Sequence, residues 1–303
     1  MQDLLNPRVD SVFKRIFGSE QNKDVLLAFL NSTFKESGEL PLAEIVLVNP
    51  YTDKDSPTDK LSILDIKAKT SDGKLINIEM QIFNPFHMEK RTLYYWSGMY
   101  FQQIPKGYNY NTLKKCVAIN ILDFTLLNNT RYHSVFHLRE DHTGIPLIDD
   151  IEIHVIELTK LDENSVPLEE GGLVNWLLFL KGVDKSSWEV LAMNEPMLKK
   201  AMDTLEFLSQ DAAARMEYEA RMKALSDEKS RIEGAREQGR EEGREEGREE
   251  GREEGLATGM SIGEARAKTE MARNLLLLGA DLPFIRKATG LSDKEIEALR
   301  SIQ

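Results

Sequence analysis

Two carboxylates, Asp65 and Glu79, lie in residues 61–81, a stretch whose pattern predicts a β-hairpin. Two apolar, β-prone arms flank the turn-forming residues 71–73, and a three-residue loop there places Asp65 directly opposite Glu79. Strand alternation puts Gln81 on the same face. Adjacent carboxylates repel each other unless a cation lies between them, and oxygen ligands suit Mg²⁺ or Mn²⁺. The hairpin is therefore a candidate metal site, and the alternative is a solvated outer face.

The register of this hairpin depends on the length of its turn. A two-residue turn at Asp72-Gly73 would place Glu79 opposite Ile66 and would mix charged with apolar residues on each face. The three-residue turn separates them, because Ile66, Ile78 and other apolar residues then share one face. We expect that apolar face to be core.

A second polar pair lies on a predicted helix near the N-terminus. Residues 7–17 carry an apolar stripe at helical spacing, and Asn6 is the expected N-cap. Asp10 and Lys14 are four residues apart and are neighbours on such a helix. They are either a surface ion pair or polar groups placed beside the hairpin.

The remaining pattern predicts alternating helices and strands. Helices are expected at 22–34 and 86–104, and strands at 44–48, 115–124, 135–138 and 151–158. The strand at 115–124 is nearly all apolar, so we expect burial on both faces. The aromatic residues of 86–104 are expected to lie mostly in the core, and Arg91 with one tyrosine could instead face a phosphate. His133 and His137 fall on a predicted strand, where they share a face without converging on a metal.

Three motifs in this order resemble the Rpn family of recombination-promoting nucleases, also described as PD-(D/E)XK transposases. They are a D-x-x-F-K-x-x-F helix, a D…ExQ hairpin and an R-x-x-Y-Y helix, carried by Asp10, Phe13, Lys14, Phe17, Asp65, Glu79, Met80, Gln81, Arg91, Tyr94 and Tyr95. The resemblance implies an α/β, restriction-endonuclease-like core with a mixed sheet flanked by helices. It also implies a Mg-dependent DNA endonuclease, with little sequence specificity and a role in DNA recombination or mobile elements.

The resemblance assigns roles to individual residues. Asp65, Glu79 and the Met80 carbonyl would hold Mg²⁺, with Mn²⁺ as the other candidate ion. Gln81 stands where the family pattern has lysine, and its amide would orient the attacking water but cannot accept a proton. Asp10 would be an accessory ligand or would position water, and Lys14 belongs to the same site.

Charge and composition permit this function without demanding it. The net charge is −12, but residues 1–160 hold 18 basic and 21 acidic side chains and are near neutral. One cysteine, Cys116, excludes a disulfide framework and favours a reducing, cytoplasmic location. The first ten residues do not resemble a signal peptide, and no apolar run is long enough to cross a membrane.

The C-terminal third differs in composition. We expect a nuclease-like domain over 1–208, a charged helix over 209–235, a Gly-Arg-Glu repeat over 236–263 and a small helical interaction module over 264–303. The repeat is interpreted as a marginal helix or a spacer. Apolar residues at heptad spacing between 218 and 232 suggest a homo-oligomer formed through the C-terminal helices. This region and Gln81 motivate an alternative function, a catalytically weak or inactive nuclease fold that binds DNA or assists assembly.

Overall fold

A computed structural model of the chain describes residues 3–48, 66–84, 86–104, 107, 109–162, 171–193 and 195–300. The strands within these residues are β1 Ile45–Leu47, β2 Ile66–Thr70, β3 Leu75–Gln81, β4 Cys116–Leu122, β5 His133–His137 and β6 Ile151–Glu157. The α-helices are α1 Asp10–Phe17, α2 Lys23–Glu36, α3 Met88–Phe101, α4 Leu173–Lys181, α5 Trp188–Met193, α6 Pro196–Gln210, α7 Ala212–Leu277, α8 Leu282–Thr289 and α9 Asp293–Arg300.

The strands form one mixed sheet in the order β1-β2-β3-β4-β6-β5. β3, β4 and β6 are mutually parallel, whereas β1, β2 and β5 join by antiparallel pairing. All seven residues of the central strand β4 are buried, as its apolar run predicts. The mixed sheet with flanking helices confirms the predicted fold class.

The hairpin of β2 and β3 has the predicted register. Thr70 N donates to the Lys74 carbonyl at 3.0 Å, and Ile66 pairs with Ile78. Gly73 has a φ of 93°, the positive value that the three-residue turn requires. Asp65 lies outside the described residues, so its predicted position opposite Glu79 stays a prediction.

The two faces of the sheet are covered differently. The main core lies on one face, where Ile66, Ile78 and Met80 pack with residues of α1, α2, α4 and α6. Alternation along β3 directs Asn77, Glu79 and Gln81 to the other face. There α3 packs against β4. The predicted separation of apolar and polar faces is therefore correct for the described part of the hairpin.

Helix α3 departs from the expectation that its aromatic residues are mostly core. Only Met88 and Thr92 are buried, whereas Tyr94 and Phe101 are 74% and 81% exposed. Polar contacts fix the helix to the sheet and to the residue before β6. Trp96 Nε1 donates to the Cys116 carbonyl at 2.8 Å, and the Tyr100 hydroxyl donates to Asp150 at 2.6 Å. The amphipathic aromatics thus anchor α3 through polar atoms and leave the remaining rings in contact with solvent.

The first helix begins later than its sequence predicts. α1 starts at Asp10, with Val9 in the N-cap position and without a side-chain cap. Asn6 instead caps a turn, since its Oδ1 accepts from Arg8 N at 3.0 Å and its carbonyl accepts from Val9 N. Asn6 therefore stabilises the approach to the helix and not the helix itself.

The chain divides into two compact units, Met1–Lys229 and Ser230–Gln303, with the boundary inside α7. Tyr218 and Leu225 of the predicted heptad seam pack against the core of the first unit, so they are engaged within one chain. The Gly-Arg-Glu repeat is helical, with exposed side chains throughout. No helix in the described part of the chain has the length and apolarity needed to cross a membrane.

The second unit has a small core of its own. Ala272, Ile285 and Ile296 are fully buried and bring α8 and α9 against the end of α7. The predicted capping box at the start of α9 is present, because Ser292 N donates to Glu295 Oε2 at 2.7 Å.

Candidate active site

Glu79 is a buried carboxylate on the face of the sheet that α3 covers. It is 6% exposed and lies near the carboxyl end of β3. Arg91 Nε of α3 lies 3.6 Å from Glu79 Oε2, and Gln81 Nε2 lies 3.5 Å from the same oxygen. The structure therefore brings two of the predicted site residues, Glu79 and Gln81, together with an arginine that the sequence associates with phosphate.

Helix α3 positions the arginine. The Arg91 guanidinium lies over the Tyr95 ring, 5.0 Å from its centroid, one turn further along the helix. A cation–π contact of this kind holds a flexible side chain in one orientation without consuming its hydrogen-bond donors. Arg91 Nε, which is buried, makes no hydrogen bond with any residue that the structure describes. The guanidinium is thus held beside Glu79, and its Nε–H group can still donate a hydrogen bond.

A buried amide on the neighbouring strand completes this cluster. Asn120 of β4 pairs with Glu79 in the parallel ladder and is 3% exposed. Its Oδ1 accepts from the Thr92 hydroxyl at 3.3 Å, and its Nδ2 donates to the His154 carbonyl at 3.3 Å. Sequence reasoning missed Asn120, although a lone asparagine in an apolar strand is the signal that would have revealed it. We call Glu79, Gln81, Arg91 and Asn120 the α3-side cluster.

The oxygen donors at this position suit a hard divalent cation. The Gln81 carbonyl accepts from Asp123 N of the β4 side at 2.9 Å, and main-chain groups alternate along a strand. The Met80 carbonyl therefore points towards the β2 side of β3. A carboxylate, an amide oxygen and a main-chain carbonyl are a donor set that fits Mg²⁺ or Mn²⁺. Asp65, the remaining predicted ligand, lies outside the described residues.

Asp10 and Lys14 are both buried on α1, at 6% and 5% exposure. Arg221 of α7 binds the Asp10 carboxylate, with its Nε 2.8 Å from Oδ1 and 2.7 Å from Oδ2. A second contact joins the same helices, since Arg15 lies 3.6 Å from Glu217. The structure thus places Asp10 in a buried pair with a residue far away in sequence. The surface ion pair weighed for Asp10 and Lys14 does not describe two buried side chains.

A second polar cluster lies on the opposite face of the sheet. Glu152 of β6 is fully buried and accepts from His154 Nε2 at 2.6 Å and from Lys115 Nζ at 2.5 Å. His154 Nδ1 lies 2.9 Å from His133 Nε2, and the His154 ring packs edge-on against Phe34 of α2. We call Glu152, His154, His133 and Lys115 the α2-side network.

Electrostatics identify this network as a bonded structural unit. Burial acts to raise the pKa of Glu152, but hydrogen bonds from His154 and Lys115 outweigh it and hold that pKa below its usual range. Burial lowers the pKa of His133 to about 3, with a further contribution from His154. Burial thus keeps the imidazole neutral. His133 lies on a strand, β5, as predicted.

Part of the same network has the composition of a metal site. Ligand atoms of His137, Asp149 and Glu152 lie within 4.8 Å of one another. Lys115 Nζ, however, lies 2.5 Å from Glu152 and 3.1 Å from Asp149. The lysine ammonium already supplies the positive charge that these carboxylates require, so the cluster fits a metal ion less well than the oxygen donors around Glu79.

Comparisons with known proteins identify the family of the chain. No significant match was found among curated proteins, and none among solved structures. The sequence profile described as PD-(D/E)XK nuclease family transposase matches residues 7–235, which include every described residue of the α3-side cluster. The match covers well over half of the chain, and the chain therefore belongs to the PD-(D/E)XK nuclease family of transposases.

Proposed function

We propose that the protein is a metal-dependent endonuclease that hydrolyses phosphodiester bonds of DNA with little sequence specificity. Its family membership supports a nuclease-like function, and the buried Glu79 beside Arg91 and Gln81 is the observation that carries the finer proposal. Such a cluster pairs an anionic metal ligand with a cation for phosphate. By resemblance to recombination-promoting nucleases, the cleavage would serve DNA recombination or mobile elements.

The proposed mechanism assigns one task to each residue. Glu79, the Met80 carbonyl and Asp65 would hold Mg²⁺ or Mn²⁺, which when bound would polarise the phosphate and lower the pKa of a water. Arg91 would bind a non-bridging phosphate oxygen through its guanidinium. Gln81 would orient the attacking water through its amide and cannot take a proton from it.

Four further basic or acidic residues have secondary tasks in this proposal. Lys67 and Lys69 project from the exposed face of β2 and would stabilise charge that develops on the phosphate. Asp10, with Lys14 on the same helix, would position water or an accessory ion. Because Arg221 holds the Asp10 carboxylate, that task would require Asp10 to exchange or share this partner.

The proposed organisation places the nuclease-like domain at 1–208, the charged helix at 209–235, the repeat at 236–263 and a helical interaction module at 264–303. A homo-oligomer would form through the C-terminal helices. Tyr218 and Leu225 are already packed within the chain, so other residues of these helices would make the contact. Light scattering of the full chain tests this proposal, and a monomer at all concentrations would remove it.

The decisive experiment is nicking of supercoiled plasmid with Mg²⁺ by the wild type, Glu79→Gln and Glu79→Ala. Glu89→Gln is the matched control, because Glu89 is an exposed glutamate on α3. We expect the Glu79 variants to lose nicking at least about 100-fold, since they lose a metal ligand, while Glu89→Gln keeps wild-type activity. Circular dichroism verifies that each variant is folded. Equal nicking by Glu79→Gln and wild type would contradict the proposal.

A second candidate function is a nuclease fold kept for DNA binding or assembly. Gln81 in the lysine position favours it, because an amide carries no charge and accepts no proton. Calorimetric titration of Mn²⁺ into the wild type and Asp65→Ala separates the two functions. Metal binding that is lost in the variant supports the enzyme, whereas negligible binding by both proteins supports the binding module.

A further inference from the structure

A groove of about 720 Å³ opens between α3 and the hairpin of β2 and β3. Its described lining includes Asn77 on its floor, the aromatic residues Tyr94, Tyr95 and Phe101 on the α3 side, and Lys67 on the strand side. A volume of this size is in the range of sites that bind small organic groups. The groove is therefore large enough to accept a planar ring.

The floor of the groove carries a buried acceptor without a hydrogen bond. Asn77 is 6% exposed, and within the described part of the chain its Oδ1 has no hydrogen-bond partner. Leaving such a group unbonded is costly, so an acceptor buried in this way is expected to meet a donor from a ligand. A side-chain amide offers both a donor and an acceptor, so it can form two hydrogen bonds with the edge of a nucleobase.

The wall of the groove carries aromatic rings that the fold does not bury. Tyr94 is 74% exposed and Phe101 is 81% exposed, although both rings are large and apolar in part. Exposed aromatic rings beside a nucleic-acid path are stacking platforms for unpaired bases. Among the described lining residues Lys67 carries the one charge and none is acidic, although the chain has a net charge of −12. The described lining therefore carries no negative charge that would repel a nucleic-acid strand.

The groove lies next to the α3-side cluster. Asn77 and Glu79 are two residues apart on the same face of β3, about 7 Å along the strand. On the helix, Tyr95 lines the groove, and its ring also contacts the Arg91 guanidinium that lies beside Glu79. One nucleotide would span this separation, with its base in the groove and its phosphate near Arg91.

We infer that this groove binds an unstacked nucleobase of the strand whose phosphate lies at Glu79. Tyr94 stacks on the base, and the Asn77 amide bonds to its edge. The inference rests on the proposed function, because it takes the ligand to be the nucleic acid that the α3-side cluster cleaves. It adds a preference for unpaired bases, which an intact duplex does not offer.

The test measures binding without cleavage. Fluorescence anisotropy in EDTA follows the full chain on a labelled single-stranded oligonucleotide and on the same oligonucleotide with abasic sites at its centre. The variants are Tyr94→Ala, Tyr94→Phe and, as the matched control, Tyr110→Ala, because Tyr110 is 79% exposed and lies outside the groove lining. All four proteins are expected to fold, since the substituted side chains are exposed.

Expected results are about tenfold weaker binding of the base-containing strand by Tyr94→Ala, with Tyr94→Phe and Tyr110→Ala near wild type. Abasic strands should bind weakly and equally to all proteins. Equal affinity for the two strands, no binding by any protein, or an unaffected Tyr94→Ala would overturn the inference. If plasmid nicking depends on Glu79 while Tyr94→Ala binds DNA normally, the inference about the groove is wrong and the proposed nuclease function is supported. If Tyr94-dependent binding occurs without nicking, base binding in the groove is supported and the proposed nuclease function is wrong.

Discussion

Two polar clusters lie on opposite faces of one sheet, and they are bonded in different ways. In the α2-side network, Glu152 is fully buried and receives hydrogen bonds of 2.6 Å from His154 and 2.5 Å from Lys115. In the α3-side cluster, Glu79 lies 3.5 Å from the Gln81 amide and 3.6 Å from Arg91. The contacts of Glu152 with His154 and Lys115 are short, whereas those of Glu79 with Gln81 and Arg91 are long.

This difference separates a structural role from a proposed catalytic one. Short bonds from two cationic or polar donors satisfy the Glu152 carboxylate within the protein, and breaking them leaves a buried charge. The contacts that Gln81 and Arg91 make with Glu79 are longer, so these two side chains could turn to a ligand at less cost. The face against which α3 packs is also the face with an open groove. Burial alone therefore does not distinguish the two glutamates, but the partners named here and the open groove on the α3 side do.

The largest expected effect is that of Glu152→Gln on stability. The substitution removes the buried anion that His154 and Lys115 share, and Lys115 keeps only partners that are less buried, such as Asp149. We expect a loss of about 3–5 kcal/mol in the free energy of unfolding, measured by urea titration. Nicking per folded molecule should be unchanged, in contrast with Glu79→Gln. The exposed Glu89→Gln serves again as control. A stable but inactive Glu152→Gln would contradict the assignment of the network to structure.

The sequence predicts the Glu79 side of this comparison better than the Glu152 side. The turn at 71–73 is a local signal, so the register of β2 and β3 and the polar face of β3 follow from it. The network joins β5 to β6 and to Lys115 at the start of β4, and such pairings between distant segments leave no periodic trace. Its histidines are recognised as strand residues from the sequence, but their partners are not.

Long-range contacts also explain what the sequence misses elsewhere. Arg221 reaches Asp10 across more than 200 residues, so the local i,i+4 rule offers only Lys14 as a partner. In α3, the aromatic content favours burial, but the sheet offers polar carbonyls and carboxylates as partners for Trp96 and Tyr100. Tyr94 and Phe101 consequently remain at the surface. Hydrophobicity predicts how much of a helix is apolar, and it does not predict which neighbours are available.

The pH dependence of stability should report on the α2-side network. The pKa of His133 is lowered to about 3, chiefly by burial, whereas an unfolded histidine titrates near about 6.5. Between these values the unfolded state binds more protons, so stability falls as the pH falls. From pH 7.5 to 5 this group should remove about 2 kcal/mol from the free energy of unfolding.

His133→Gln should flatten this dependence, because glutamine keeps a polar contact with His154 but does not titrate. Urea titrations at each pH measure it, and His142→Gln, which alters an exposed histidine, should keep the wild-type slope. Equal slopes for His133→Gln and the wild type would mean that other groups cause the acid sensitivity. Glu152, whose pKa is also lowered, contributes only as the pH falls below the usual glutamate range.

The Asp10–Arg221 pair should have an intermediate effect on the free energy of unfolding. It also tests whether Asp10 belongs to the active site. A double-mutant cycle with Asp10→Asn and Arg221→Met is expected to give a coupling of about 1.5 kcal/mol in unfolding free energy, because the bonds are charge-assisted and largely buried. If Asp10 also serves the reaction, Asp10→Asn loses nicking while Arg221→Met keeps it. Equal losses in both variants would assign Asp10 to structure and leave Glu79 as the described acid of the site.

The smallest expected effect compares two buried asparagines in their contribution to the free energy of unfolding: Asn77 of the groove and Asn120 of the α3-side cluster. Asn77→Leu removes an acceptor that has no hydrogen bond, so we expect the free energy of unfolding to rise by about 1 kcal/mol. Asn120→Leu is the matched control, because Asn120 is similarly buried but bonds to Thr92 and to the His154 carbonyl. It should lose about 1–2 kcal/mol. Urea titration measures both variants.

Opposite signs for these two asparagines would show that Asn77 is retained at a cost to stability, as a ligand-binding group is expected to be. The same Asn77→Leu protein should bind single-stranded DNA more weakly, since the base edge loses its partner. A protein that is both destabilised and unchanged in DNA binding would identify Asn77 as an ordinary structural amide. Stability gained together with affinity lost is therefore the result that distinguishes a built binding site from an imperfectly satisfied core.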